Sequence, residues 1–163
     1  MRGNQAMKRI SVGAVLLWAA ALNTAPVGAA ECSVQASGVD FGVYDSFAPT
    51  PADSVGTIAV YCSGFAGETI AYRIRIGTGG SGVFAPREMR DATTWRLLYN
   101  LYMNAARTLV WGDGTGSSRI VSDGFVLPSR GIARTYPVYG RISERQNVAP
   151  GSYADTLVIT LDY

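Results

Sequence analysis

Residues 57–62 read Thr-Ile-Ala-Val-Tyr-Cys, residues 70–76 read Ile-Ala-Tyr-Arg-Ile-Arg-Ile, and residues 157–163 read Leu-Val-Ile-Thr-Leu-Asp-Tyr. Apolar side chains recur at every second position in each stretch. Successive side chains of a β-strand point to opposite faces of the sheet, so this alternation is typical of strands with one buried face. The three stretches predict strands of an all-β protein.

Other segments rich in β-branched and aromatic residues extend this pattern. They are Leu97–Tyr102, Thr108–Trp111, Ile120–Leu127 and Thr135–Ile142, and the terminal strand is expected to begin at Tyr153. Glycine- and proline-rich turns separate them, and no internal repeat or linker divides the chain. Seven or eight short strands with such turns predict a single antiparallel sandwich or barrel.

The charged residues are divided unevenly along the chain. The whole chain carries 14 basic and 12 acidic side chains, for a formal charge of +2. Residues 1–30 hold three of the basic side chains and no acidic one, and from residue 31 onward there is neither Lys nor His. This composition argues against nucleic-acid binding, which requires a basic surface. It also excludes imidazole-based catalysis and His-ligated metal sites.

Residues 1–30 predict a secretory signal peptide. A basic Lys-Arg pair precedes the apolar stretch Ile10–Leu22, small residues follow, and cleavage is expected between Ala30 and Glu31. A transmembrane helix is the alternative, but it needs about 20 apolar residues and this stretch is shorter. A lipid anchor on Cys32 is disfavoured because Glu31 stands where a small residue should precede the cysteine. The mature domain is therefore expected to span residues 31–163, without a membrane span.

The two cysteines, Cys32 and Cys62, both lie in the exported part. In an oxidising compartment two cysteines most simply form one disulfide. The alternatives are a free nucleophile, which would want a His partner, and half of a metal site, which would need further ligands. The disulfide is the favoured interpretation.

Other clusters of residues have structural and functional interpretations. Residues 111–116, Trp-Gly-Asp-Gly-Thr-Gly, contain oxygen donors but lack the alternating acids of a calcium loop, so a hairpin turn is favoured. The glycine-rich residues 77–82 lack the lysine of a phosphate-binding loop and are expected to form a flexible loop. A glycosidase pair among the 12 carboxylates is conceivable, but nothing marks one out. We expect no metal, no cofactor and no enzymatic activity.

Five aromatic side chains have two interpretations. They could form a platform that binds glycans, or they could belong to the core and to cross-strand pairs, and the second interpretation is favoured. They are Trp95, Tyr99, Tyr102, Tyr136 and Tyr139. A weak helical periodicity occupies residues 86–94. Its charged residues and those beside it are expected to form a solvated face with weak ion pairs. They are Arg87, Glu88, Arg90, Asp91 and Arg96.

An ordered series of short motifs resembles the spore coat protein U domain family, which includes subunits of archaic chaperone–usher (Csu-type) pili. The motifs are Cys32-Ser33-Val34, Phe41-Gly42-Val43-Tyr44-Asp45, Gly56-Thr57-Ile58 to Cys62, Leu98-Tyr99-Asn100-Leu101-Tyr102, Ala106-Arg107-Thr108, Val110-Trp111-Gly112-Asp113-Gly114, Tyr139-Gly140-Arg141-Ile142 and Gly151-Ser152-Tyr153-Ala154-Asp155-Thr156. The resemblance covers essentially the whole mature chain. One departure is Asn104, which stands where an Asp is expected before Arg107.

The resemblance implies an incomplete immunoglobulin-like antiparallel β-sandwich of about seven strands, whose last strand is supplied in trans. It implies a groove filled first by a periplasmic chaperone and later by a neighbouring subunit, with an outer-membrane usher as a further partner. Leu157, Ile159 and Leu161 are then expected to line the groove, with Tyr163 at its end. The alternative is an ordinary interior strand paired on both sides. The implied location is a fimbrium or other cell-surface layer, in adhesion or biofilm formation.

Cleavage before Glu31 would leave one residue ahead of Cys32, whereas shaft-forming members of the family carry a donor segment there. A donor strand would need roughly ten residues at about 3.3 Å each. The chain is therefore expected to accept a strand and not to donate one, at a tip or accessory position. A secreted binding module that does not polymerise, with glycans as ligands, is the alternative function.

Overall fold

The computed structural model describes residues 29–163, and its regular structure is almost entirely β. The strands are β1 (Glu31–Ser37), β2 (Ala52–Ser63), β3 (Thr69–Ile76), β4 (Arg87–Arg90), β5 (Arg96–Tyr102), β6 (Val121–Val126), β7 (Gly131–Ile142) and β8 (Ile159–Asp162). A single 3₁₀ turn, Gly79–Ser81, lies between β3 and β4. No helix in this part of the chain is long and apolar enough to cross a membrane.

The strands form two antiparallel sheets. The larger sheet has the order β1-β2-β7-β5-β4, and the smaller has the order β6-β3-β8. Their facing sides enclose one hydrophobic core, as in an immunoglobulin-like sandwich. The predicted all-β, immunoglobulin-like antiparallel sandwich is confirmed, while the supply of a last strand in trans stays a prediction.

Alternation in β2 and β3 builds the two sides of this core. Ile58 and Val60 of β2 are each 1% exposed, and Ile74 of β3 is fully buried. Their sequence neighbours Tyr61 and Arg73 point outward. The two stretches that define the fold in the sequence therefore face each other across the sandwich.

Two strands went unrecognised in the sequence. β1 offers a short and mostly polar alternation, yet it pairs with β2 over its whole length. β4 lies where a weak helical periodicity was expected, and its residues Arg87 and Met89 face inward. The predicted solvated face holds for Arg90 and Arg96, which contact Glu88. It is wrong for Arg87, which is completely buried. Burial of this charged side chain is possible because its guanidinium donates to oxygens of Gly77, Asn100 and Trp111.

The strand predicted at Thr108–Trp111 is not formed. The Oδ1 atom of Asn104 accepts the backbone N–H groups of Thr108 and Leu109, which removes two donors from any ladder. This segment makes only isolated bridges, and the bridge between Trp111 and Arg119 is parallel. Because the two arms of a hairpin are antiparallel, residues 111–116 form a tight loop and not a hairpin. Asn104 supplies the acceptor that an Asp at its position would supply.

The end of the chain is less regular than its alternation predicted. Ala154 pairs with Arg90 of the larger sheet through two backbone hydrogen bonds of 2.9 and 3.0 Å. The chain then crosses to the smaller sheet, where β8 pairs with β3. The continuous strand expected over Tyr153–Tyr163 is therefore reduced to Ile159–Asp162.

The predicted signal peptide lies outside the described residues, except at Ala29 and Ala30. The backbone N–H of Ala30 donates to the Glu68 carboxylate at 3.0 Å. Cleavage between Ala30 and Glu31 stays a prediction.

Candidate functional site

The outer edge of β8 carries no partner strand within residues 29–163. Gly77 N–H donates to the Val158 carbonyl at 2.8 Å, which fixes the side of the chain that faces β3. Hydrogen-bonded and non-hydrogen-bonded residues alternate along an antiparallel pair, so the backbone groups of Ile159 and Leu161 point away from β3. These backbone groups face the open edge, where an added strand could pair with them.

A cleft of about 580 Å³ opens beside this edge. Its opposite side is formed by the end of β1 and the segment that follows it. Its lining is mainly apolar and comprises Ala36, Ser37, Gly38, Val39, Asp40, Phe41, Ile58, Ile76, Met89, Tyr99, Leu101, Val138, Tyr153, Ala154, Asp155, Leu157 and Ile159. The cleft thus lies between the edges of the two sheets, above the core.

Two glycines bring residues 39–41 onto the larger sheet. A Cβ atom at Gly140 would lie 2.6 Å from both Val39 and Phe41, and one at Gly56 would lie 2.8 Å from Val39. Side chains at these positions would push residues 39–41 away from β2 and β7. The absence of side chains at Gly56 and Gly140 therefore sets one wall of the cleft.

The four predicted groove residues are distributed unequally. Leu157 and Ile159 line the cleft, and Leu161 is half-buried against the core one position further along the same face. Tyr163 is 63% exposed and lies beside Tyr72 in a separate shallow depression. Their role in binding a strand stays a prediction.

The cleft continues into a second recess of about 580 Å³. The loops at residues 39–46 and 148–153 form its sides. Phe41, Met89 and Tyr153 line both cavities, which makes them the boundary between the two. The furrow therefore extends beyond the start of β8, towards the segment that precedes it.

A disulfide joins Cys32 and Cys62, which confirms the favoured interpretation of the two cysteines. The two residues are directly opposite in the β1–β2 ladder, with Cα atoms 4.1 Å apart. The cross-link ties the β1 side of the cleft to β2.

Sequence reasoning missed three polar residues at the cleft. Tyr99 O–H donates to Asp155 Oδ2 at 2.8 Å, and the buried Arg87 lies opposite Tyr99 in the β4–β5 ladder. Burial raises the pKa of the Tyr99 hydroxyl, and the hydrogen bond to Asp155 raises it further. Asp155 belongs to the motif Tyr153-Ala154-Asp155-Thr156, but the sequence does not show which partners an Asp contacts.

A second polar cluster joins the sheets away from the cleft. Tyr136 of β7 hydrogen bonds to Tyr72 of β3 and to Asp123 of β6, each at 2.5 Å, and Arg134 donates to Asp123 at 2.9 Å. The Tyr136 hydrogen bond is the main factor that lowers the pKa of the Asp123 carboxyl, and Arg134 adds to it. Burial raises the pKa of the Tyr136 hydroxyl.

The five aromatic residues considered for glycan binding do not share an exposed face. Tyr99 is buried in the core, where it packs edge-on against Phe41. Tyr102 and Tyr139 are cross-strand partners on β5 and β7, and Trp95 is 43% exposed in a turn. This distribution favours their interpretation as core and cross-strand residues.

Comparisons with known proteins place these features in context. A family model described as Spore Coat Protein U domain matches residues 18–160. Protein U of Myxococcus xanthus is 32% identical over 135 residues, which cover 77% of this chain and 71% of that protein. The family model therefore covers the described domain up to residue 160.

Two solved structures are similar to this chain to different degrees. The first is the complex of CsuC and CsuE, a chaperone and a tip adhesion subunit of archaic chaperone–usher Csu pili from Acinetobacter baumannii. The match has a TM-score of 0.53 at 19% identity, covering 83% of this chain and 40% of that chain. A chaperone–tip adhesin complex of CFA/I fimbriae gives a TM-score of 0.46 at 13% identity, covering 78% and 41%. The first match shows a shared fold, and this chain spans less than half of either neighbour.

Proposed function

The chain belongs to the Spore Coat Protein U domain family, and we propose on that basis that it is a non-catalytic subunit of a chaperone–usher surface assembly. In this proposal the cleft beside β8 accepts an extended strand from another chain. The observation that carries the proposal is the open edge of β8 next to an apolar cleft.

Strand addition suits the chemistry of this edge. The unpaired backbone groups of Ile159 and Leu161 would hydrogen bond to the incoming strand, and the apolar lining would receive alternate side chains. An exposed strand edge is an aggregation hazard in a finished protein. Here a periplasmic chaperone would cover it first, and a neighbouring subunit would replace the chaperone at an outer-membrane usher.

We further propose residues 1–30 as the export signal and residues 31–163 as the mature domain. In the mature protein Cys32 would be the second residue. The chain would then accept a strand without donating one, at a tip or accessory position of a surface fibre or coat that serves adhesion or biofilm formation. Mass spectrometry of the mature N-terminus tests this: ten or more residues ahead of Cys32 would restore a donor segment.

Co-expression tests the acceptor role. The full chain would be exported to a bacterial periplasm with and without the chaperone of an archaic chaperone–usher system from its own organism. We expect soluble protein mainly as a chaperone complex, with the amides of Ile159 and Leu161 protected from hydrogen exchange. A stable monomer whose yield and exchange the chaperone leaves unchanged would refute the proposal.

A further inference from the structure

Residues 154–158 decide which side chains face the cleft. Ala154 is bonded to β4 in the larger sheet, and the Val158 carbonyl accepts the Gly77 N–H in the smaller sheet. The chain crosses between the sheets in the three residues between these anchors, 155–157. Leu157 belongs to this crossing and lines the cleft. A shift in the crossing would displace both Leu157 and the start of β8.

The Asp155 carboxylate anchors the middle of the crossing from two directions. Its Oδ2 atom accepts the Tyr99 hydroxyl at 2.8 Å, and its Oδ1 atom accepts the Gly80 N–H at 2.9 Å. A Cβ atom at Gly79 would overlap the same carboxylate, and Gly79 has a φ of 67°. The loop at residues 77–82, expected to be flexible, is therefore shaped around Asp155.

Arg87 contacts the residue that anchors the far end of the crossing, Gly77. Its Nε and Nη2 atoms donate to the Gly77 carbonyl at 3.1 and 3.0 Å, and Nη2 also donates to the Trp111 carbonyl at 2.7 Å. Its Nη1 atom donates to Asn100 Oδ1 at 2.8 Å. Burial lowers the pKa of this guanidinium, which has no carboxylate directly bonded to it. Gly77 thus receives Arg87 through its carbonyl and holds Val158 through its N–H.

We infer that Tyr99 and Asp155 are positioning residues of the cleft, whose hydrogen bond sets the path of residues 154–158 and so presents Leu157 and Ile159 to an incoming strand. The functional part of this inference rests on the acceptor role proposed above. The structural part, that one partly buried bond fixes the path of the crossing, is argued from the contacts alone.

Removal of the Tyr99 hydroxyl provides the test. Tyr99→Phe keeps the buried ring and leaves the Asp155 carboxylate in place. A hydrogen bond to a charged group contributes free energy equivalent to a factor of about ten or more in the equilibrium constant for local opening. We expect amide exchange in peptides covering residues 153–158 to become roughly tenfold faster, while the β1–β2 peptides change little.

Tyr72→Phe is the matched control. Tyr72 is also a buried tyrosine, 3% exposed against 5% for Tyr99, and its hydroxyl is bonded to Tyr136 away from the cleft. This variant should accelerate exchange in β3, in β6 and, through the β3–β8 ladder, in β8, and it should spare residues 153–158. Equal acceleration of residues 153–158 in both variants, or a uniform change across the whole domain, would overturn the inference.

Asp155→Ala serves if Tyr99→Phe fails to fold. It removes both carboxylate oxygens, which accept from Tyr99 and Gly80, so residues 153–158 should again exchange faster than the rest. Unchanged exchange there would overturn the inference.

Chaperone capture separates the two proposals. If the wild-type chain is not captured, the acceptor role fails, while the exchange comparison still decides the positioning role. If the wild type is captured, Tyr99→Phe should be captured several-fold less than Tyr72→Phe, and equal capture would refute a role in presenting the cleft.

Discussion

The two sides of the cleft are built in different ways. On one side β1 pairs with β2 along its full seven residues, and a disulfide reinforces the pair. On the other side β8 pairs with β3 over only four residues. Tyr99 donates to Asp155 in the segment leading into β8, and Arg87 donates to Gly77, whose N–H donates to Val158. One wall of the cleft is therefore fixed by a covalent bond and the other by hydrogen bonds.

The largest expected effect comes from removing the covalent tie. The Cys32→Ala, Cys62→Ala double variant opens a loop with a sequence separation of 30 residues. On the chain-entropy account it should lose about 3–4 kcal/mol of unfolding free energy, measured by urea denaturation. Exchange should rise most in β1. A loss below about 1 kcal/mol would show that the ladder alone fixes this wall.

Removing Arg87 should weaken the other wall by a slightly smaller amount. Arg87→Met leaves the oxygens of Gly77, Asn100 and Trp111 without their donor, and buried unpaired acceptors cost about 1–3 kcal/mol each before relaxation. We expect a loss of about 3 kcal/mol, measured in the same way. Arg96→Met is the control, since the exposed Arg96–Glu88 pair contributes well under 1 kcal/mol. Similar losses in the two variants would contradict the role given to Arg87.

Two prolines on β8 separate stability from strand acceptance. Thr160→Pro removes an N–H that faces β3, whereas Leu161→Pro removes one that faces the open edge. Because the Leu161 side chain is half-buried against the core, each proline variant is compared with the alanine variant at its own position. On that basis Thr160→Pro should lose about 1 kcal/mol more unfolding free energy than Leu161→Pro. Chaperone capture should show the reverse, with Leu161→Pro the more impaired. If one variant is worse in both assays, the assignment of the open edge is wrong.

The smallest expected effect is a loss of unfolding free energy at low pH. The residues responsible for it lie away from both walls of the cleft. Because the pKa of Asp123 is held below its ordinary value in the folded state, its stabilisation is present above about pH 4 and is lost as pH falls below that. Tyr136→Phe removes the main cause, so its stability at pH 7 should drop by roughly 1 kcal/mol. Its further loss between pH 5 and pH 3 should be smaller than that of the wild type. Parallel pH profiles from urea denaturation would contradict this sign.

The alternation of Ile58, Val60 and Ile74 is a local property, so it predicted an antiparallel sandwich or barrel, and the family resemblance favoured the sandwich. The sequence also predicted the cysteine pair and the inward face of Leu157 and Ile159. It missed β1, whose pattern is too short and polar, and it placed Arg87 in solvent. A buried arginine is recognised only when its acceptors are known, and those belong to three other segments of the chain.

The chain by itself determined that alternating apolar residues would be buried as strands, since the period of the side chains follows from backbone geometry alone. Only the tertiary structure decided where the terminal strand would cross between sheets and which edge would stay open. That choice depends on Asp155, Tyr99 and Gly77, which are far apart in sequence and acquire their roles when the two sheets bring them within hydrogen-bonding distance.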